Sequence, residues 1–214
     1  SCYVGGKLGG TEGRMLKLGD KLRRSPGDFP EFPSELPSEL IPQHKDEIVL
    51  RAIPGPQDDY FDNGLERFFR SIYTVSADAN RIGYRLEGPV IEQKPGMAAS
   101  IISEASVPGG VQIPPNGLPI ILLGEQTVGG YTKIATVISS DLDLIGQATP
   151  GDKIRFERID LETAYSIKKK KTEEMEQIKS ILELCSRVRY RRSQHPQFDR
   201  GETLELYQDL YPEC

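Results

Sequence analysis

From residue 47 onward the chain alternates short apolar runs with glycine or proline breaks. Residues 47–53, Glu-Ile-Val-Leu-Arg-Ala-Ile, carry five apolar residues, several of them β-branched, with two charged ones, Glu47 and Arg51, and end at Pro54-Gly55-Pro56. That combination predicts a strand closed by a turn. Further strands are expected at residues 72–75, 84–86, 110–113, 119–123, 133–138 and 152–156, most of them bounded by the same breakers. A short helix is expected at 65–69, and one or two helical turns at 140–146. Several short strands at this spacing predict an antiparallel barrel or sandwich. After Asp160 the period changes. Leu161, Ala164, Tyr165, Met175, Ile178, Leu182 and Cys185 recur in steps of three and four, or sums of them, so a helix is expected over about 161–187, with Asp160 as its N-cap.

The first 44 residues have a different texture. Residues 5–28 are rich in glycine and basic side chains, and residues 26–42 contain five prolines. Proline removes a backbone donor and fixes φ, which opposes both helix and central strand there. The expected organisation is a glycine- and proline-rich segment over 1–44, a β-barrel over 45–159 and a helical extension with a tail over 160–214.

Composition narrows the function classes. The net charge is −5, which gives no electrostatic reason to expect nucleic acid as a partner. No apolar run reaches membrane-spanning length, so no membrane partner is expected either. Three cysteines, Cys2, Cys185 and Cys214, lie far apart and suit a reducing cytoplasm. The two histidines, His44 and His195, sit near prolines in polar surroundings and read as surface residues, so no metal site is expected. The run Lys168-Lys169-Lys170-Lys171 precedes Glu173, Glu174 and Glu176. At helical spacing it reads as a solvated face with i,i+4 pairs.

Candidate chemistry concentrates in two stretches. Gly124 and Gly129 have the glycine spacing of a phosphate loop, but Gly130-Tyr131 follows where that loop needs Lys-Ser/Thr. Residues 108–133 instead gather Gln112, Asn116, Glu125, Gln126, Thr127, Tyr131 and Lys133 around what reads as glycine turns. Gln and Thr side chains offer donors and acceptors to a planar amide, and Lys133 offers a cation to a carboxylate. Gly129 and Gly130 are expected to take positive φ and let the backbone approach a ligand. The competing reading is a ligand-free barrel corner. The second stretch holds Arg81 and Arg85, four residues apart and therefore on one face if both lie on a strand. Paired guanidinium groups suit a carboxylate or phosphate, and a salt bridge to a neighbouring glutamate is the competing reading.

Several of these motifs together resemble one family. They are Gly9-Gly10-Thr11-Glu12-Gly13-Arg14 with Leu18-Gly19-Asp20, Arg51-Ala52-Ile53-Pro54-Gly55-Pro56-Gln57, Arg81-Ile82-Gly83-Tyr84-Arg85-Leu86, residues 108–123, residues 126–135 and residues 150–156. In combination, over residues 1–159, they resemble the allophanate hydrolase subunit 2 family. Its members include the C subunit of 5-oxoprolinase, KipA-like antagonists of a kinase inhibitor, and part of the carboxyltransferase region of urea carboxylase. The family usually has proline where Thr132 stands. It also carries a further stretch before the equivalent of Ser1, so this chain is expected to lack the N-terminal half and to be inactive alone.

The resemblance implies a mainly β fold, a cyclophilin-like antiparallel β-barrel followed by the α-helical extension. It implies a cytoplasmic hydrolase subunit that acts with a KipI-like B subunit and a third oxoprolinase subunit, using ATP to open the lactam 5-oxoproline to glutamate. Alternatives are a carboxyltransferase domain of a biotin-dependent urea or amide carboxylase, with biotin as cofactor, and a KipA-like antagonist. The substrate-binding candidates are Arg81, Arg85, Gln112, Gln126, Thr127, Gly129, Gly130, Tyr131 and Lys133; no catalytic residue is singled out.

Overall fold

The computed structural model describes residues 2–3, 6–22, 36, 38–41, 43, 47–98, 100–124 and 128–194. His44, His195, Gln126, Thr127, Cys214 and the tail beyond Gln194 lie outside the described residues. The chain divides into two compact units, Ser1–Leu40 with Lys179–Cys214, and Ile41–Ile178. In the first unit two short strands, β1 (Cys2–Tyr3) and β2 (Leu8–Gly9), pair antiparallel. A single 3-10 turn, Ser38–Leu40, falls in the proline-rich stretch.

The second unit is a closed barrel. From residue 47 the elements in chain order are β3 (Glu47–Pro54), α1 (Asp62–Arg70), β4 (Ile72–Val75), β5 (Gly83–Glu87), β6 (Ser100–Ala105), β7 (Gly110–Ile113), β8 (Ile120–Leu122), β9 (Val128–Val137), α2 (Leu142–Gln147), β10 (Lys153–Arg158) and α3 (Leu161–Gln194), the last of which passes into the first unit at Lys179. The strands join in the order β3-β10-β4-β5-β8-β7-β9, and β9 pairs back onto β3, which closes seven strands into a ring. Every neighbouring pair is antiparallel except β3 with β10. The eighth strand, β6, stands outside the ring and pairs with the first half of β9.

Period-two alternation fills the interior. Ile48, Leu50 and Ala52 of β3 point inward, as do Ile154 and Phe156 of β10 and Val111 and Ile113 of β7. One end is plugged by α1, which buries Phe68 with its ring centroid 4.3 Å from that of Phe156 and 5.9 Å from that of Tyr73. Burial of such side chains contributes roughly 2 kcal/mol each.

Ring closure is held by a buried carboxylate. Asp141 is 1% exposed and lies in the 3-10 turn Ser139–Asp141 after β9. Its Oδ2 accepts from the Arg51 backbone N–H at 2.8 Å and from Nε at 2.9 Å, while Oδ1 accepts from Nη2. Arg51 is the middle of β3, so this bidentate pair ties the end of β9 to the strand it must meet. The Arg51 guanidinium is held charged by that hydrogen bond.

The terminal helix begins where the sequence places it. Oδ1 of Asp160 accepts from the Thr163 N–H at 2.7 Å, an N-cap that depresses the carboxyl's pKa. The helix runs to Gln194, longer than its apolar stripe predicts. The lysine run is only partly a solvated face. Lys170 and Glu174 form the expected i,i+4 pair. Lys168, however, donates to Ser139 Oγ, and Lys171 donates to the Ser140 carbonyl and to Asp143 Oδ1 at 2.8 Å. These long-range bonds fix the helix start onto the turn that carries Asp141. No helix among the described residues is long and apolar enough to cross a membrane.

Removing Asp141 strands three Arg51 donors next to the β3–β9 seam. Asp141→Ala should therefore destabilise the barrel by about 2 kcal/mol, less than for a fully buried ion pair because Arg51 is 34% exposed and can be solvated. Urea unfolding followed by circular dichroism measures this. A loss below about 1 kcal/mol, the scale of an exposed pair, would mean that the seam does not depend on it.

Candidate functional site

The outward faces of β5, β8, β7 and β9 form the floor of a cleft of about 470 Å³. Alternation decides which residues face it. Leu86, Ile121, Val111 and Ile113 point to the core, so Gly83, Arg85, Ile120, Leu122 and Gln112 point out into the cleft. Tyr131 of β9 forms one wall, and the loops bearing Asn80 and Pro114-Pro115-Asn116 form the rim. The rim loop 114–117 is a local turn, in which Asn116 Oδ1 accepts from the Leu118 N–H.

Two donors in this cleft lack partners among the described residues. Gln112 is 2% exposed, and its Nε2 is buried without a hydrogen bond. Arg85, exposed on β5, is the one charged residue among the described lining residues, and no carboxylate stands among them. A buried amide donor left unpaired costs about 1–3 kcal/mol, so a rotation of the Gln112 side chain that turns Nε2 to a ligand in the cleft recovers part of that cost. The pair of donors suits a ligand with an anionic group and a neutral carbonyl acceptor.

The sequence candidates therefore separate. Arg85, Gln112 and Tyr131 meet in the cleft. Arg81 precedes β5 rather than lying on it, and it is not part of the lining, so the two arginines share no strand face. Gln126 and Thr127 fall outside the described residues. Gly129 and Gly130 do not form a turn: both lie in β9, which starts five residues earlier than expected, and neither has positive φ. Glycine at 130 has another use, the close approach of β6. A Cβ there would sit 3.0 Å from the Ile101 carbonyl oxygen, because a β6 bulge crosses the strand at that point. A valine at 130 would push β6 away.

Lys133 faces outward beside Gln112, its register partner across β7 and β9. It is 3% exposed, and its Nζ donates to Glu104 Oε1 of β6. Gln57 completes this cluster. Its Oε1 accepts from the Lys133 backbone N–H at 2.9 Å, which leaves Nε2 to donate to Glu104 at 3.2 Å. The backbone contact also fixes which end of the amide is oxygen. Neither Gln57 nor Glu104 stands out as a site residue in the sequence; Gln57 lies in the Pro54-Gly55-Pro56-Gln57 motif, but Glu104 lies in a strand without an alternating pattern.

Thr132 points the other way. It is fully buried, accepts from Gln93 Nε2 at 2.7 Å and donates to the Ile113 carbonyl, pinning the 91–94 loop to the barrel. No cluster of three or more His, Cys, Asp or Glu suited to a metal ion occurs among the described residues.

With this geometry in place, comparison with known proteins gives the family. The profile of the carboxyltransferase domain, subdomain A and B, matches residues 1–158. The chain belongs to that carboxyltransferase-domain family. It is 35% identical over 179 residues to the C subunit of 5-oxoprolinase from Haemophilus influenzae, covering 83% of this chain and 56% of that one. It is 34% identical over 173 residues to the corresponding C subunit from Escherichia coli, covering 80% and 54%. The crystal structure of Kluyveromyces lactis urea carboxylase superposes with a TM-score of 0.69 at 26% identity, over 83% of this chain and 18% of that one. The chain thus spans just over half the length of these 5-oxoprolinase subunits.

The Glu104 carboxyl is held below its ordinary pKa by the hydrogen bond from Lys133, then by that from Gln57. A depressed folded-state pKa contributes stability that is present above the ordinary glutamate range and lost as pH falls through the folded value. Acidification below the ordinary range should therefore release β6 from Lys133 before the barrel opens. Hydrogen exchange of the β6 amides against pH reads this out. Glu104→Gln should abolish the acid-dependent step, and an unchanged profile in that variant would contradict it.

Proposed function

We propose that this chain is the cleft-bearing part of the C subunit of a 5-oxoprolinase, acting in a cytoplasmic assembly with a B subunit and a third subunit. The observation that carries the reading is a pair of donors on one cleft floor, Arg85 and the buried Gln112 Nε2, which have no partner and no acidic lining neighbour among the described residues. 5-Oxoproline presents a carboxylate and a neutral lactam carbonyl, the two acceptors that this pair is suited to meet. Arg85 would take the carboxylate as a charge-assisted, bidentate contact. Gln112 Nε2 would donate to the lactam oxygen, and Tyr131 would cover the ring face. A donor at that oxygen matters chemically, because charge builds on it as the amide is activated.

ATP is the reagent that this reading requires to make the lactam oxygen a leaving group. The fit of a nucleotide to this chain's residues is poor. Gly130-Tyr131 replaces the Lys-Ser/Thr of a phosphate loop, and the cleft supplies a single guanidinium. No phosphoryl-transfer step is assigned to this chain. Its role in the assembly is to hold and orient the lactam.

A second reading is favoured by the likeness to urea carboxylase. The same two donors would then hold a carboxyl group and the carbonyl of a urea-like amide during transfer from biotin. The two readings share the cleft and differ in the partner and the cofactor.

In the assembled complex, Gln112→Ala should lower kcat/KM for 5-oxoproline-dependent ATP hydrolysis by roughly tenfold to a hundredfold, the loss expected for a hydrogen bond of about 1–3 kcal/mol. Arg85→Ala should chiefly raise KM. The isolated chain should show no turnover. Wild-type kinetics in both variants, with unchanged melting temperatures, would place the lactam elsewhere.

A further inference from the structure

Strand register lays the cleft floor out as a row. Arg85 of β5 stands opposite Ile120 of β8, and Ile120 stands opposite Gln112 of β7. The two donors are therefore two strand spacings apart, about 10 Å at their Cα atoms, with an isoleucine between them. A ligand that reaches both donors has to cross the Ile120 side chain.

That crossing is apolar. Leu122, next on the outward face of β8, lines the cleft and is 1% exposed. Gly83, opposite Leu122 on β5, is buried and has no side chain to interrupt the surface. A Cβ at Gly83 would stand 2.9 Å from Ile120 Cγ2, so glycine there lets Ile120 lean across towards β5. Ile82 and Tyr131, 42% and 40% exposed, add hydrocarbon at the edges of the lining.

Acceptors are scarce by comparison. No carboxylate stands among the described lining residues. Of the two rim amides, Asn80 Oδ1 already accepts from the Ile82 N–H at 2.9 Å, and Asn116 Oδ1 from the Leu118 N–H at 3.1 Å. A urea-like ligand brings several N–H donors and no hydrocarbon, so laying it across Ile120 would strand donors against an apolar surface. A lactam acid brings two acceptor groups, a single N–H, and ring methylenes that gain from burial.

We infer that Ile120, seated flat because residue 83 has no side chain, is the specificity-determining residue of the cleft, selecting a cyclic amide acid with a hydrocarbon ring over an open urea. The inference rests on reading this cleft as the lactam site. Arg85 and Gln112 recognise acceptors that both kinds of ligand carry; Ile120 recognises what lies between those acceptors.

The test measures dissociation constants by calorimetry on the assembled complex with two probes, 5-oxoproline and N-carbamoylglycine. Both carry a carboxylate and an amide carbonyl at the same bond separation. The second lacks the ring methylenes and carries an NH2 group on its carbonyl carbon. The wild type should prefer 5-oxoproline by about tenfold or more, the worth of two buried methylenes. Ile120→Thr, which keeps a β-branched side chain in the strand, should cut that preference to about threefold or less, and Ile120→Ala should act in the same direction. A merely structural loss would lower the competent fraction for both probes alike and leave their ratio unchanged. Arg85→Ala should weaken both probes alike. If Arg85→Ala changes neither affinity, the lactam reading of the cleft fails and takes the role of Ile120 with it. If Arg85→Ala weakens both, but the wild type has no preference or both Ile120 variants keep the wild-type preference, the cleft reading stands and the Ile120 inference falls.

Discussion

Asp141 has to be buried, charged and paired at once, and three parts of the barrel unit depend on how that is met. Its carboxylate takes both guanidinium donors and the backbone N–H of Arg51, so the end of β9 is locked against the middle of β3. The same 3-10 turn receives Lys168 and Lys171 from the start of α3. One short segment thus closes the barrel on its inner side and seats the helix on its outer side. A buried ion pair is a weak source of net stability, but an unpaired Asp141 would be costly. The arrangement fixes which strands meet, and the ring of seven follows.

Closure explains why a site exists on the outside of the barrel. The interior is filled by aliphatic and aromatic side chains. The outward face of β5, β8, β7 and β9 is different. There Leu122, Gln112 and Lys133 are buried although they point away from the core. β9 extends past the ring to pair with β6, and this extension carries Tyr131 to the cleft wall while Glu104 draws Lys133 aside. Arg85 and Gln112 Nε2 are then the donors left for a ligand.

Much of this is legible in the sequence, and the misses share a cause. β3, β4, β7 and β10 are strong local patterns whose alternating residues become the core, so pattern and structure agree. The cap at Asp160 is equally local. β6, Ser-Ile-Ile-Ser-Glu-Ala, has no buried face to alternate towards and exists because β9 offers it an edge. Gly129-Gly130 reads as a turn because glycine is a local turn signal. Pairing with β6, distant along the chain, makes it instead a strand in which a side chain at Gly130 would crowd the Ile101 carbonyl. The lysine run shows the same limit, since helical spacing predicts the Glu174 partner of Lys170 but not the Ser139 and Asp143 partners of its neighbours. Among the site candidates, residue chemistry points to Gln112, Arg85 and Lys133 alike. Only strand pairing shows that Lys133 is bound to Glu104 while the other two share the cleft floor.

The central claim is that the outer cleft, with Arg85 and Gln112, holds a small ligand that combines an anionic group with a planar carbonyl. A crystal structure of the assembled complex with 5-oxoproline tests it most directly. The account predicts the ligand on the β5–β8–β7 face, its carboxylate on the Arg85 guanidinium and its lactam oxygen within hydrogen-bonding distance of Gln112 Nε2. Ligand density in another part of the assembly, with this cleft empty, would contradict it.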